Sequence, residues 1–330
     1  MKERIKIGVL GYGNLGRGVE LAITQNPDTE LVAIFTRRDP QRVKPVNPDV
    51  SVMNIARINE YKDFIDVLIL CGGSATDLPQ QGPEYAAFFN CVDSFDTHSK
   101  IPEYFESVDK VAKASGKTAA ISIGWDPGLF SMNRLLLGAV LPEGKDYTFW
   151  GKGVSQGHSD AIRRVNGVKN AIQYTIPITE TVDRIRNGET LDFTAGEKHI
   201  RECFVVAEEG ADKSKIENDI KNMPNYFADY KTIVHFISEE ELIKNHGKMP
   251  HGGFVIRTGK TGVENENQQL IEFSLKLGNN PEFTASVLVA YARAVARLNR
   301  EGKTGAYTVF DIPLGYLSPK TPEELRKGLL

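Results

Sequence analysis

The sequence predicts an α/β domain built on a doubly wound parallel sheet, then an α+β domain. Three observations carry this. Buried-type apolar runs alternate with helical patterns over residues 5–124; from Tyr147 strand-like runs dominate, with few helices between them; and a long amphipathic helix follows at about residue 281.

The first element is the apolar run 5–10, a buried strand. It stops at Gly11-Tyr12-Gly13-Asn14-Leu15-Gly16, behind which Leu15, Val19, Ala22 and Ile23 recur at helical spacing. Strand, Gly-x-Gly-x-x-Gly turn and helix in this order are the signature of a Rossmann-type dinucleotide-binding domain. Gly11 allows the tight turn, Gly13 lets backbone approach a pyrophosphate, and Gly16 lets the helix pack close, its N–H groups facing the phosphates. A second strand, 30–35, leads to Thr36-Arg37-Arg38. An NAD-preferring fold puts an acid here for the ribose 2′-hydroxyl; two guanidiniums and a hydroxyl suit a 2′-phosphate, so the expected cofactor is NADP.

Residues 50–53 form a possible third strand. The strand 66–71 ends in Gly72-Gly73-Ser74-Ala75-Thr76, small residues at the carboxyl edge, where they would flank the cofactor. A helix over 80–89, a strand over 90–96, a helix over 104–114 closed by Gly116, and a strand over 118–123 complete the alternation. The last strand runs into Gly124-Trp125-Asp126-Pro127-Gly128. A helix over 129–140 leaves the first domain. Strands are then expected at 147–151, 172–178, 203–207, 232–237, 253–258 and 268–277, with helices at 183–187 and 215–223: an antiparallel sheet with helices on one face. The helix 281–300 precedes an irregular tail.

Composition narrows the function. With 330 residues, 41% hydrophobic, 25% charged and a net charge of −3, the chain has two-domain size and no basic field for nucleic acid or membrane. No apolar stretch approaches a membrane span, and the opening Met-Lys-Glu-Arg does not read as a signal peptide. The expected location is cytoplasmic, in keeping with three scattered cysteines, Cys71, Cys91 and Cys203, read as reduced core thiols.

Among chemical groups, Asp96 and Asp126 both follow strands of the first domain. Two acids near a nicotinamide would hold a cationic amine and take its proton; both positions equally suit helix caps. His158-Ser159-Asp160 is no triad, since adjacent residues cannot align as one, and His246 and His251 lack the shared helix face of a zinc pair, so no metal is expected. Thr175, Arg201 and Arg163-Arg164 are available for anions.

A resemblance then emerges. The segments 11–17, 35–38, 73–77, 124–128, 148–151, 155–161, 173–175, 249–253 and 280–286 occur together and in order. The chain resembles the meso-diaminopimelate D-dehydrogenases from about residue 4 to about residue 319. That resemblance implies reversible, NADP-dependent oxidative deamination of the D-centre of meso-2,6-diaminopimelate to L-2-amino-6-oxopimelate (tetrahydrodipicolinate) and ammonia, in lysine biosynthesis. It implies a homodimer, a Rossmann domain of residues 1–124 with a return at 281–330, and a substrate and dimerisation domain at 125–280. By resemblance Asp96, Asp126, Trp150, Gln156 and Gly157 would surround the D-centre, with Asp96 and Asp126 the catalytic candidates. Thr175, Arg201, His251 and Asn280 would hold the distal L-centre. The cofactor set would be Gly11, Tyr12, Gly13, Asn14, Leu15, Thr36, Arg37, Arg38, Cys71, Gly72, Ser74, Ala75, Thr76, Asp93 and Trp125. No lysine base is placed by motif, so the proton acceptor stays open. The alternatives are another NADP oxidoreductase of the aspartate and lysine pathway, or a non-catalytic NADP-binding sensor.

Overall fold

The computed structural model describes residues 4–330 and divides into two compact units, one running to Met132 and resuming at Pro281–Leu330, the other Asn133–Asn280. In chain order the first contains β1 (Ile5–Leu10), α1 (Asn14–Thr24), β2 (Thr29–Thr36), β3 (Ser51–Asn54), β4 (Val67–Leu70), α2 (Leu78–Ala86), β5 (Cys91–Asp93), α3 (Ile101–Ser115), β6 (Thr118–Ala120) and the start of α4 (Leu129–Val140). The second contains β7 (Gly144–Trp150), β8 (Gly153–Val154), α5 (Gln156–Arg163), β9 (Val168–Pro177), α6 (Thr179–Arg186), α7 (Ala195–Lys198) and β10 (His199–Ala207). It continues with α8 (Lys213–Lys221), β11 (Lys231–Phe236), α9 (Glu239–His246), β12 (His251–Thr261) and β13 (Asn267–Leu277). The chain then returns to the first unit through α10 (Asn280–Arg300), β14 (Gly305–Tyr307) and α11 (Pro322–Leu329).

The first unit holds a seven-stranded sheet, order β14-β6-β5-β4-β1-β2-β3, parallel throughout. Its strands are short apolar runs because both faces are covered. In β4, Val67 and Ile69 join one core cluster with α1 and α10, while Leu68 and Leu70 join another with α2 and α3. That is the two-residue strand period, and each fully buried Leu or Ile contributes about 1.5–3 kcal/mol. The returning helix is fastened by Arg293, 1% exposed, which makes a two-pronged ion pair with Asp28 and also donates to Asn26 and the Leu317 carbonyl. Those bonds hold the Asp28 carboxyl below its ordinary range. Arg293→Ala would strand them and cost about 3–5 kcal/mol.

Several expectations need correction. The compact units divide at 132/133, within α4, whereas the domain boundary expected from the sequence is 124/125. Residues 125–132 belong with the first unit because Leu129, Phe130 and Met132 donate backbone bonds to Gly124, Trp125 and Gly128, and Leu129 and Met132 pack on its core. The tail is not irregular throughout: β14 adds an edge strand, and α11 carries a Thr321/Glu324 capping box with Pro322 in its first turn.

The second unit is not one antiparallel sheet. It holds a four-stranded sheet, β11-β10-β9-β8, and a three-stranded one, β13-β12-β7. The pair β10 and β11 is parallel because α8 forms a crossover between them, which a hairpin cannot supply. More short helices are present than expected; Ser155, Thr194, Asp212 and Ser238 cap α5, α7, α8 and α9 through their side chains.

Candidate active site

The first site is built on the turn after β1. Gly11 has φ +93°, its N–H donates to Phe35 O at 2.9 Å, and a Cβ there would lie 3.2 Å from the Cys71 carbonyl. At Gly16 a Cβ would come within 2.1 Å of Gly11 O, so only glycine lets α1 start this close to β1. Gly13 is the N-cap of α1, with no side-chain cap bond and nothing within 4 Å of where its Cβ would be. An open, uncapped helix start of this kind fits a dinucleotide pyrophosphate.

Both arginines after β2 are already held. Arg37 Nη1 lies 2.9 Å from Asp77 Oδ1, while Asp77 Oδ2 accepts from Gly73 N at 2.8 Å. That backbone bond, with Arg37 beside it, lowers the Asp77 pKa. Arg38 donates from its backbone N–H to the buried Thr36 hydroxyl and from Nη2 to the Tyr12 carbonyl. The three residues thus form one edge with the glycine turn, and they fit a 2′-phosphate. Asp77 is a contributor that sequence reading missed; its signal was its place at the start of α2, after the small residues 72–76.

At the carboxyl ends of β5 and β6 the two carboxylates differ. Asp96 is exposed, and its backbone N–H donates to Ser74 Oγ at 2.8 Å, which links it to the loop after β4. It does not cap α3, whose N-cap is Lys100, so the capping alternative falls away for this residue. Asp126 is half-buried, between Trp125, stacked edge-on to Phe130, and Pro127. Asp93, expected at the cofactor, turns its carboxylate inward. It is 1% exposed and accepts from Phe95 N at 2.9 Å, Ser122 N at 3.1 Å and the Tyr104 hydroxyl at 2.7 Å. Burial pushes it up to about 6. Its side chain ties together the loops that carry Asp96 and lead to Asp126. Trp125 is likewise buried.

In the second unit, backbone ladders gather residues far apart in sequence. Trp150 ends β7 opposite Gly253, Gly153 pairs with Thr175, and Thr175 lies directly across from Arg201. The Arg201 guanidinium donates to the Thr175 hydroxyl and stacks 4.0 Å above the Tyr230 ring. Arg201 Nε and Gln173 Oε1 are buried without a hydrogen-bond partner, and Gln173 Nε2 reaches Thr175 Oγ1 at 3.4 Å. Gln156 opens α5 and donates to Met249 Sδ at 3.2 Å; Asn280 N donates to the Met249 carbonyl at 3.0 Å. Val154 N holds the Pro250 carbonyl at 2.9 Å, and a Cβ at Gly153 would strike the His251 ring. Gly157 faces open space. Burial lowers the His251 pKa.

Trp150 is held by His199, whose Nε2 accepts its backbone N–H at 3.0 Å while the rings stack at 5.5 Å. Burial, with the Arg201 charge nearby, drives His199 down to about 3, so it is neutral and able to accept. Gln173, His199 and Tyr230 were not foreseen as part of this site. Gln173 had a signal, since it shares the face of Thr175 by the strand period.

Among the described residues no group of three His, Cys, Asp or Glu is placed to hold a metal, and no helix is long and apolar enough to cross a membrane. All three cysteines are unpaired, and burial raises their thiols above the ordinary range.

Residues 124–279 match the family model described as the diaminopimelic acid dehydrogenase C-terminal domain. Over 328 residues, 99% of this chain and 100% of the relative, the sequence is 65% identical to a meso-diaminopimelate D-dehydrogenase of Ureibacillus thermosphaericus. The chain belongs to the meso-diaminopimelate D-dehydrogenase family. Among solved structures, a mutant meso-diaminopimelate dehydrogenase of Clostridium tetani with diaminopimelate is 60% identical, with TM-score 0.94 over 99% of this chain and 100% of that one. An engineered D-amino acid dehydrogenase bound to NADP+ is 43% identical, with TM-score 0.86 over 99% and 100%. The two-domain architecture is therefore that of diaminopimelate dehydrogenases, with a Rossmann-like parallel sheet and a separate mixed-sheet domain.

Proposed function

We propose that this protein catalyses the reversible, NADP-dependent oxidative deamination of the D-centre of meso-2,6-diaminopimelate, giving L-2-amino-6-oxopimelate and ammonia for lysine biosynthesis. Full-length identity of 65% to an enzyme of that name carries the reading. The side chains support it chemically. Arg37 and Arg38 would hold the 2′-phosphate, and the turn Gly11–Gly16, with Ser74, Ala75 and Thr76, the diphosphate and its flanks. NADP, when bound, supplies a nicotinamide ring that accepts hydride from the substrate α-carbon.

The remaining work falls to the chain. Asp96 and Asp126 would attract the D-centre ammonium and draw off a proton, since the α-carbon gives up hydride only when the neutral amine's lone pair can form the C=N bond. The resulting iminium takes up water and collapses to ketone and ammonia. Arg201 and Thr175 offer a two-donor seat for the distal carboxylate; His251 and Asn280 would meet the distal amine, and Trp150, Gln156 and Gly157 the D-centre. Fixing one end by several contacts decides which α-hydrogen is presented at the other. The buried, unpartnered Arg201 Nε is the donor such a carboxylate would satisfy.

A homodimer belongs to the same reading; Leu135, Leu136 and Val140 form an exposed apolar group on α4 that a second copy would cover. A cytoplasmic location fits three unpaired cysteines. Mixing the protein with NADP and meso-diaminopimelate should give NADPH and ammonia in equal amounts. No reduction with the meso isomer, or equal rates with the LL isomer, would reject the reading.

A further inference from the structure

Glu20 sits in α1, one turn beyond the glycines, and is 1% exposed. A carboxylate is buried only where donors replace its water. Here three do. The Tyr12 hydroxyl donates to Oε2, Val46 N to Oε2 at 3.0 Å, and Asn47 N to Oε1 at 2.7 Å. Val46 N also lies 3.2 Å from the Tyr12 hydroxyl, so the segment 43–50 is stapled to the turn through both side chains. Val43, buried, packs in the same core cluster as Tyr12.

Tyr12 has a second bond, at its other end. Its backbone carbonyl accepts from the Arg38 guanidinium. A continuous path therefore runs from the buried Glu20 carboxylate through Tyr12 to one of the two cations that face a 2′-phosphate. A long arginine side chain loses much rotamer freedom on binding unless something has already fixed it.

We propose that Glu20 is a positioning residue for cofactor choice: by holding Tyr12 and the segment 43–50 it fixes the carbonyl on which Arg38 rests, and so sets the preference for a 2′-phosphorylated dinucleotide over its unphosphorylated counterpart. The proposal rests on the NADP reading above. It also says why the acid is needed. A glutamine has one acceptor oxygen, and its amide would face a donor at the other position.

The test is fluorescence titration of the purified protein with NADPH and with NADH, for wild type, Glu20→Gln, Arg38→Ala and the double variant. Glu20→Gln should weaken NADPH roughly tenfold, as losing one preorganised charged contact does, and change NADH less than about twofold. On the Arg38→Ala background the same substitution should add less than about twofold, because it acts through Arg38. Equal weakening of both nucleotides, no weakening, or a full effect on the Arg38→Ala background would overturn the proposal. Should Glu20→Gln not fold, Tyr12→Phe decides. It leaves the two backbone donors on Glu20 and should weaken NADPH selectively; unchanged NADPH binding would overturn the proposal. A wild type without preference for NADPH would remove the NADP reading and this proposal together. A preference abolished by Arg38→Ala but untouched by Glu20→Gln would keep that reading and overturn the proposal.

Discussion

Around the glycine turn the charged groups already have partners within their own unit. Arg37 rests on Asp77, Arg38 on the Tyr12 carbonyl, and Glu20 on three donors. Around Arg201 the balance is reversed: its Nε and the Gln173 Oε1 are buried with no hydrogen-bond partner. An unsatisfied buried polar atom costs more than a satisfied one gains, so this difference has a chemical meaning. The first region has its charged groups fixed in advance, which suits the proposed preference for a 2′-phosphate. On the proposed function the second would offer those polar groups to a ligand of defined charge and would discriminate because the wrong ligand leaves them unpaired.

This contrast can be broken in several ways. The largest effect is expected from Asp126→Asn, which removes a candidate proton acceptor: kcat with meso-diaminopimelate should fall roughly 10²- to 10⁴-fold while NADPH affinity holds, measured by steady-state rates and titration. Unchanged kcat would take Asp126 out of the chemistry. Next is Arg201→Leu, which should raise the KM for diaminopimelate about a hundredfold and leave the KM for NADP within twofold. A loss shared by both would mean that Arg201 supports the fold rather than the ligand. Replacing Arg37 and Arg38 together by alanine should raise the KM for NADP roughly ten- to a hundredfold and spare NAD. Equal losses would remove the 2′-phosphate assignment.

The smallest effect separates the units by pH. Asp93 in the first unit stands at about 6, above its ordinary 3.8, so the native state holds an extra proton between these values and that unit loses stability as pH rises through the window. His199 and His158 in the second unit stand at about 3 and about 4, below the ordinary 6.5, so their contribution is full above 6.5 and is lost as pH falls towards those values. Between pH 7 and 5 the second unit should therefore loosen while the first tightens. Hydrogen exchange resolved by segment, corrected for intrinsic rates, should give opposite signs; Asp93→Asn should flatten the first.

The same contrast explains what was legible in the sequence. The cradle is local. Gly11, Gly13, Gly16, Arg37 and Arg38 lie within one strand–turn–helix–strand stretch, where each glycine answers a steric demand, so pattern reading reaches them directly. The parallel sheet was equally readable, because doubly covered strands such as β4 must be continuously apolar. The second site is assembled by cross-strand register. Nothing near Thr175 in sequence announces that Arg201 lies opposite, so resemblance rather than spacing assigned those two to one end of the substrate, and the stacking of Tyr230 on Arg201 was not foreseen. The split into two sheets was missed because strand runs alone do not say which strands pair, and α8 was not read as a crossover. The inward turn of the Asp93 side chain was not legible, because a carboxylate at a strand end looks the same in sequence whether it points to ligand or to backbone.

One measurement bears most directly on the proposed division of labour, with distal contacts choosing which α-hydrogen is transferred. Meso-diaminopimelate carrying deuterium only at the D-centre α-carbon would be oxidised with NADP, and the label followed by mass spectrometry. The expected result is deuterium on the reduced nicotinamide, none in the amino-oxo product, and a slowed hydride step. Deuterium retained at the surviving amino centre of the product, or washed into solvent, would contradict it.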